Sequence, residues 1–197
     1  DAARKLAILA SIAFNARVTF DDVYVEGITN ISSEDIAYAS ELGYVIKLLA
    51  IAREEEGRIS VRVHPTFLPS SHPLANVNDV YNAVFVRGDA VGEAMFYGRG
   101  AGEMPTASAV VGDVIDAARN LYRGASGRIL CTCFEDRPIQ PISETKAPYF
   151  IRLLVQDQPG VLAAIAGAFG AQQVSLNSVI QKRKINGCAE LAVITYE

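Results

Sequence analysis

Apolar residues near the start of the chain recur at three- and four-residue spacing. Leu6, Leu9, Ile12 and Ala13 follow that rhythm, which predicts an amphipathic helix over residues 1–15. Thr19 to Glu26 is polar and without period, and reads as irregular. Ser32-Ser33-Glu34-Asp35 sets hydroxyls ahead of carboxylates, the order that satisfies free N–H groups at a helix start. That helix is expected to reach about Leu42 and stop at Gly43. Tyr44 to Arg53 is a nearly continuous apolar run and reads as a buried strand, with a turn at Glu54 to Gly57. Ile59, Val61 and Val63 alternate with polar neighbours, as in a half-buried partner strand. The prolines of His64-Pro65, Leu68-Pro69 and His72-Pro73 predict an irregular loop beyond it, because proline has no N–H to give a ladder.

A second hairpin is expected from Ala83–Val86 and Glu93–Tyr97 around Gly88-Asp89. A helix should then run from Pro105 or Thr106 to about Leu121. These elements predict an α+β class, an antiparallel or mixed sheet covered by helices. Arg137 to Lys146 is proline-rich and aperiodic, so the expected domains are 1–136 and 148–197, joined by a linker at 137–147. The second domain reads as strand (Tyr149–Val155), loop (Asp157–Gly160), helix (Val161–Phe169), strand (Val174–Gln181) and strand (Cys188–Thr195). That β-α-β-β order is the front of a ferredoxin-like unit. No second helix and fourth strand follow, and the first helix opens without an initiator Met. The chain is therefore expected to be incomplete at both ends.

Composition narrows the class of partner. Half of the 197 residues are hydrophobic, enough for proper cores, and the net charge of −4 argues against nucleic acid. The most basic stretch, Lys182-Arg183-Lys184, reads as a solvated strand end or turn. No apolar run reaches the ~18 residues of a membrane span. Three cysteines make no disulfide scaffold and point to a reducing, cytoplasmic setting. Cys131 and Cys133 would share one face of a strand, but Cys188, His64 and His72 are not at ligand spacing. Reduced core thiols are expected there, and no metal.

Three constellations are candidates for chemistry. Asp1 and Lys5 stand four apart on a predicted helix, so carboxylate and ammonium share a face. A lysine so placed can pass a proton to an oxygen, although the spacing by itself favours a surface ion pair. The run Gly98-Arg-Gly100-Ala101-Gly102-Glu103-Met-Pro-Thr106 lies between a strand and a helix. Its glycines permit close approach to the main chain, so a ligand-lining loop is favoured over a tight structural turn. It does not have the G-x-G-x-x-G spacing of a dinucleotide fingerprint. Asp157-Gln-Pro159-Gly160-Val161-Leu162, with Asn177 on the next strand, fits an amino-acid carboxylate site and a plain connecting loop equally.

Taken in order, these pieces resemble the homoserine dehydrogenase family over the first ~120 residues. Asp1-Ala-Ala-Arg-Lys5-Leu-Ala-Ile-Leu-Ala is similar to the second half of that family's Gly-x-Asp-x-x-x-Lys helix start. His72-Pro-Leu-Ala75, Asn82-Ala-Val84, Arg87-Gly-Asp89 and Tyr97-Gly-Arg-Gly-Ala-Gly-Glu-Met-Pro-Thr-Ala-Ser108 match its next stretch. Residues 148–197 resemble an ACT domain with its Asp-x-Pro-Gly-Val-Leu motif. The resemblance implies interconversion of L-homoserine and L-aspartate 4-semialdehyde with NAD or NADP, in threonine, methionine and isoleucine biosynthesis. It implies that Lys5 donates a proton, that Asp1 orients it, and that Gly98, Gly100, Ala101, Gly102, Glu103 and Thr106 lie against the cofactor. Through the ACT part it implies feedback by L-threonine bound at Asp157, Pro159, Gly160, Val161, Leu162 and Asn177, in a homodimer or homotetramer. The family's nucleotide-binding domain and upstream substrate glutamate are not in this chain, so the chain alone is expected to be inactive. Two other readings are a non-enzymatic amino-acid-sensing dimerisation module and a structural assembly module.

Overall fold

Alanine decides how the first helix meets its sheet. In a computed structural model, which describes residues 1–125, 131, 133–185 and 187–196, α1 (Ala2–Phe14) buries Ala3, Leu6, Ala7, Ala10 and Ser11. Small side chains at that spacing let the helix lie close on β-strands, and Leu6 fills the remaining gap. The expected face was different: Leu9, Ile12 and Ala13 are exposed. Alternation of large apolar residues was a poor guide because the sheet selects the small ones. Asn15 ends the helix in the left-handed region at φ 51°, a conformation asparagine tolerates.

The chain divides into two compact units, Asp1–Ile139 and Gln140–Glu197. In the first, β1 (Tyr24–Val25), β2 (Tyr44–Glu55) and β3 (Arg58–Pro69) form a sheet of order β1-β3-β2. β2 and β3 are antiparallel, and Glu56 and Gly57 both have positive φ, as the tight hairpin turn between them requires. Ile59, Val61 and Val63 point to one face and meet α1 together with Val18 and Val23. Helix α2 (Ser33–Glu41) packs on β2, and its start is a capping box. The Asp35 N–H donates to Ser32 Oγ at 3.2 Å, while the Ser32 N–H donates to Asp35 at 2.9 Å.

Two expectations fail here. β3 does not stop at His64; it runs on to Pro69, with Pro65 opposite Leu48 and Pro69 opposite Tyr44. β1 accompanies β3 only at Arg62 and Val63, so both prolines lie where β3 has become an edge, and a missing N–H leaves no ladder bond unmade. The supposedly irregular Thr19–Glu26 contains a 3-10 turn at Phe20–Asp22 and then β1.

The second hairpin, β4 (Tyr81–Gly88) and β5 (Gly92–Arg99), forms its own two-stranded sheet. It leads through residues 100–102 into α3 (Glu103–Tyr122). Pro105 falls within the first turn, where helical N–H groups have no partner to lose. No residue of α3 is buried, and Met104, Val110, Val111, Val114 and Leu121 are exposed. After α3 the chain returns to the first sheet and its helix. The Glu135 N–H donates to Asn15 O at 3.2 Å, the Ile59 N–H donates to Pro138 O at 3.0 Å, and Arg137 reaches both Glu54 and Glu135 at 2.6 Å. Residues 137–139, read as the start of a linker, are thus tied to the first sheet.

The second unit is β6 (Phe150–Gln156), α4 (Val161–Ala171), β7 (Leu176–Ile185) and β8 (Cys188–Thr195). Its sheet has the order β6-β8-β7, all antiparallel, the arrangement of a ferredoxin-like βαββ module. β8 is central and supplies the core, with Ala189, Leu191, Val193 and Thr195 nearly inaccessible. β7 starts at Leu176 and extends four residues past the expected Gln181. The side chains of Arg183 and Lys184 lie outside the described residues. The class is α+β in both units. Among the described residues no helix is long and apolar enough to cross a membrane.

Candidate functional site

Asp1 stands at the N-cap of α1 and Lys5 one turn on. Lys5 Nζ donates to Asp1 Oδ2 at 2.7 Å. The carboxylate is therefore committed to the ammonium and caps no backbone N–H. Both side chains project into solvent, on the face of α1 that also carries Ile8 and Ile12. The helix thus presents an oriented cation at the head of an apolar stripe. Such a group can stabilise and protonate an oxygen on which negative charge develops.

The glycine run does not continue β5. Gly98 still belongs to that strand, opposite Asn82, while Gly100, Ala101, Gly102, Glu103 and Thr106 line an open hollow. Ala107, Val110 and Val111 of α3 complete its wall. Those three were missed in the sequence, although they follow Glu103 at helical spacing and lie on its face. Gly102, at φ 123° and ψ 150°, occupies a region that essentially only glycine adopts, and a Cβ there would come within 3.3 Å of Pro105 Cδ. That conformation turns the chain from strand into helix. Lys5 and Asp1 are not among the residues lining this hollow.

Free N–H groups at a helix start attract an anion, and Glu103 already supplies one in the first turn. A phosphate would be repelled by that carboxylate. Ala101, Ala107, Val110 and Val111 make the wall of the hollow mostly apolar, with the Glu103 carboxylate beside it.

In the second unit the turn Asp157–Gly160 leads into α4. The Asp157 N–H donates to Gly187 O at 3.1 Å, and Gly160 caps the helix at φ 91°. Val161 and Leu162 open α4 and Pro159 shapes the turn, so its first N–H groups form a small anion-attracting end. Asn177 lies where the register of β7 shifts against β8, between Leu176 and Ser178. A bulge re-aims the side chain it carries, and Asn177 is exposed, accepting a 2.8 Å bond from Ser178 Oγ.

The cysteines correct an expectation. Cys131 and Cys133 are exposed and outside any strand, so they are not core thiols. The Cys133 backbone N–H, with its thiol, holds the Cys131 thiol below its ordinary pKa, and the same thiol pairing pushes Cys133 up. Among the described residues no three His, Cys, Asp or Glu side chains are grouped to hold a metal ion.

Comparison with known proteins draws these features together. The homoserine dehydrogenase family model matches residues 1–115 and the ACT domain model residues 149–197. The homoserine dehydrogenase of Corynebacterium glutamicum is 50% identical over 201 residues, which cover 100% of this chain and 45% of that protein. The Synechocystis sp. homoserine dehydrogenase is 46% identical over 206 residues, covering 100% of this chain and 48% of its own length. A crystal structure of a homoserine dehydrogenase from Thiobacillus denitrificans superimposes with a TM-score of 0.90 at 40% identity, over 99% of this chain and 45% of that one. The chain spans about half the length of the relatives it matches. With a family model over more than half of its residues and relatives of this identity along all of it, the chain belongs to the homoserine dehydrogenase family and carries an ACT domain.

Proposed function

We propose that this chain is the substrate-side and regulatory part of an NAD(P)-dependent homoserine dehydrogenase interconverting L-aspartate 4-semialdehyde and L-homoserine. The observation that carries the reading is the Asp1–Lys5 pair, an oriented, exposed ammonium at the head of α1. The dinucleotide, when bound, supplies hydride to the aldehyde carbon. Lys5 Nζ holds the proton that the aldehyde oxygen takes up as negative charge gathers on it, and Asp1 keeps the ammonium aimed. In the reverse direction Lys5 accepts the hydroxyl proton of homoserine.

The loop from Gly98 to Glu103, with Thr106, is assigned to the nicotinamide end of NAD or NADP. The apolar wall of the hollow and the Glu103 carboxylate support placing a carboxamide-bearing ring there. The ACT domain is assigned an amino-acid effector, L-threonine, with its carboxylate at the start of α4 and Asn177 contributing polar contacts where two copies meet. A homodimer or homotetramer in the cytoplasm is the expected form, serving threonine, methionine and isoleucine synthesis.

Oxidation of NADPH in the presence of L-aspartate 4-semialdehyde tests this. The complete protein should turn over and be inhibited by threonine, and the 197-residue chain alone should show no turnover. A complete protein without dehydrogenase activity would overturn the assignment. Turnover by the isolated chain would refute its dependence on a nucleotide-binding half.

A further inference from the structure

Gly100 and Asn82 are fitted to one another. A Cβ on Gly100 would fall inside the Asn82 carboxamide, overlapping Nδ2 and Cγ and lying 3.1 Å from Asn82 Cβ. The Gly100 N–H donates to Val80 O at 3.0 Å, and Asn82 Nδ2 approaches the same oxygen at 3.5 Å. Asn82 is on β4 opposite Gly98, so its amide covers the point where the glycine loop leaves the hairpin. The segment before β4 is in turn tied to the first sheet. Lys47 of β2 donates to Val77 O at 2.7 Å and to Asn78 Oδ1 at 2.8 Å, and the Tyr81 N–H donates to Asn78 O at 3.2 Å. β2 is also a strand on which α1 packs. A chain of short contacts therefore runs from the sheet carrying the Asp1–Lys5 helix to the first glycine of the hollow.

We infer that Asn82 is a positioning residue, which acts through Gly100 to hold the glycine loop in the conformation that receives the nicotinamide end of the dinucleotide. This rests on the assignment of that loop made above. The physical reason is steric as much as polar. Without the carboxamide the loop loses the wall that Gly100 leans on, and a displacement of about 1 Å at a reacting site costs on the order of 100-fold. The loop is assigned to the dinucleotide, so the defect should fall on the dinucleotide.

The test is made in the complete dehydrogenase, this chain with its nucleotide-binding half. Dinucleotide binding by the unaltered enzyme is measured first, by fluorescence titration with NADPH. Asn82→Ala should then raise the KM for NADPH about tenfold or more and leave the KM for the semialdehyde within about twofold. Gly100→Ala should be at least as defective. In the double variant the defect should fall back to that of Asn82→Ala, because the remaining Cβ-to-Cβ approach of 3.1 Å asks only a small shift. Should Asn82→Ala not fold, Asn82→Asp keeps the volume but replaces the donor facing Val80 O with an acceptor, and the same KM split is read from it. An unchanged KM for NADPH in Asn82→Ala beside a raised one in Gly100→Ala, or lowered thermal stability of Asn82→Ala with both of its KM values unmoved while Gly100→Ala is defective, would overturn the role of Asn82 alone. An unchanged KM for NADPH in both variants, or no NADPH binding by the unaltered enzyme, would overturn the loop assignment and this inference together.

Discussion

Lys5 Nζ lies 2.7 Å from the Asp1 carboxylate, yet the two side chains are 70% and 84% exposed. An ion pair so open to water contributes less than ~1 kcal/mol to folding. A surface ion pair and the proposed proton-transfer role separate experimentally.

Lys5→Met and Asp1→Asn in the complete enzyme should lower kcat by roughly 100- to 10,000-fold for Lys5, the range of a lost general acid, and less for Asp1. The denaturant midpoint should barely move. Parallel losses of activity and stability would mean that the pair is structural.

Cys131 should titrate below Cys133. A lowered thiol pKa means that the reactive thiolate is present at lower pH, so alkylation of Cys131 should begin lower on the pH scale. Cys133, raised by donating its thiol to Cys131, should lag. In Cys133→Ala the Cys131 profile should move back up, since the thiol donor is gone while the backbone N–H stays. Peptide mapping after pulse labelling with iodoacetamide reads both sites, and coincident profiles would rule the pairing out.

Burial separates the two kinds of apolar residue in this chain. Ile59 is 0% and Leu191 1% exposed, so Ile59→Ala and Leu191→Ala should each cost about 2–5 kcal/mol in urea unfolding of the 197-residue chain. Leu121 on α3 is 81% exposed, and Leu121→Ala should stay within about 0.5 kcal/mol. A cost for Leu121 comparable to that of Ile59 would show that α3 is buried when the chain is free in solution.

Local signals were read correctly where neighbours along the chain carry the whole argument. Ser32 and Asp35 cap each other across three residues, and the β4–β5 hairpin closes on its own turn. The prolines of β3 misled because whether proline is tolerated in a ladder depends on which side of the strand is an edge. That is a fact about β1, some forty residues earlier in the chain. Leu9 and Ile12 misled for a related reason: the sheet chose Ala3, Ala7 and Ala10, whose small size allows close approach. Of the candidate site, the Asp1–Lys5 spacing and the glycine run were legible, because each is a single stretch of chain. The Val110 and Val111 wall required the helix to be placed, and the clasp of Asn82 on Gly100 joins two strands through a hairpin register.

The order of residues by itself determined the α+β class, the hairpins, the caps and the family, since all of these are written in short runs or long motifs. Only the tertiary structure decided which helix face is buried, where β3 ends, that Cys131 and Cys133 face solvent, and why position 100 must be glycine. Each of these depends on the space left by residues distant in sequence, and periodicity along one segment carries no information about what the opposite segment fills.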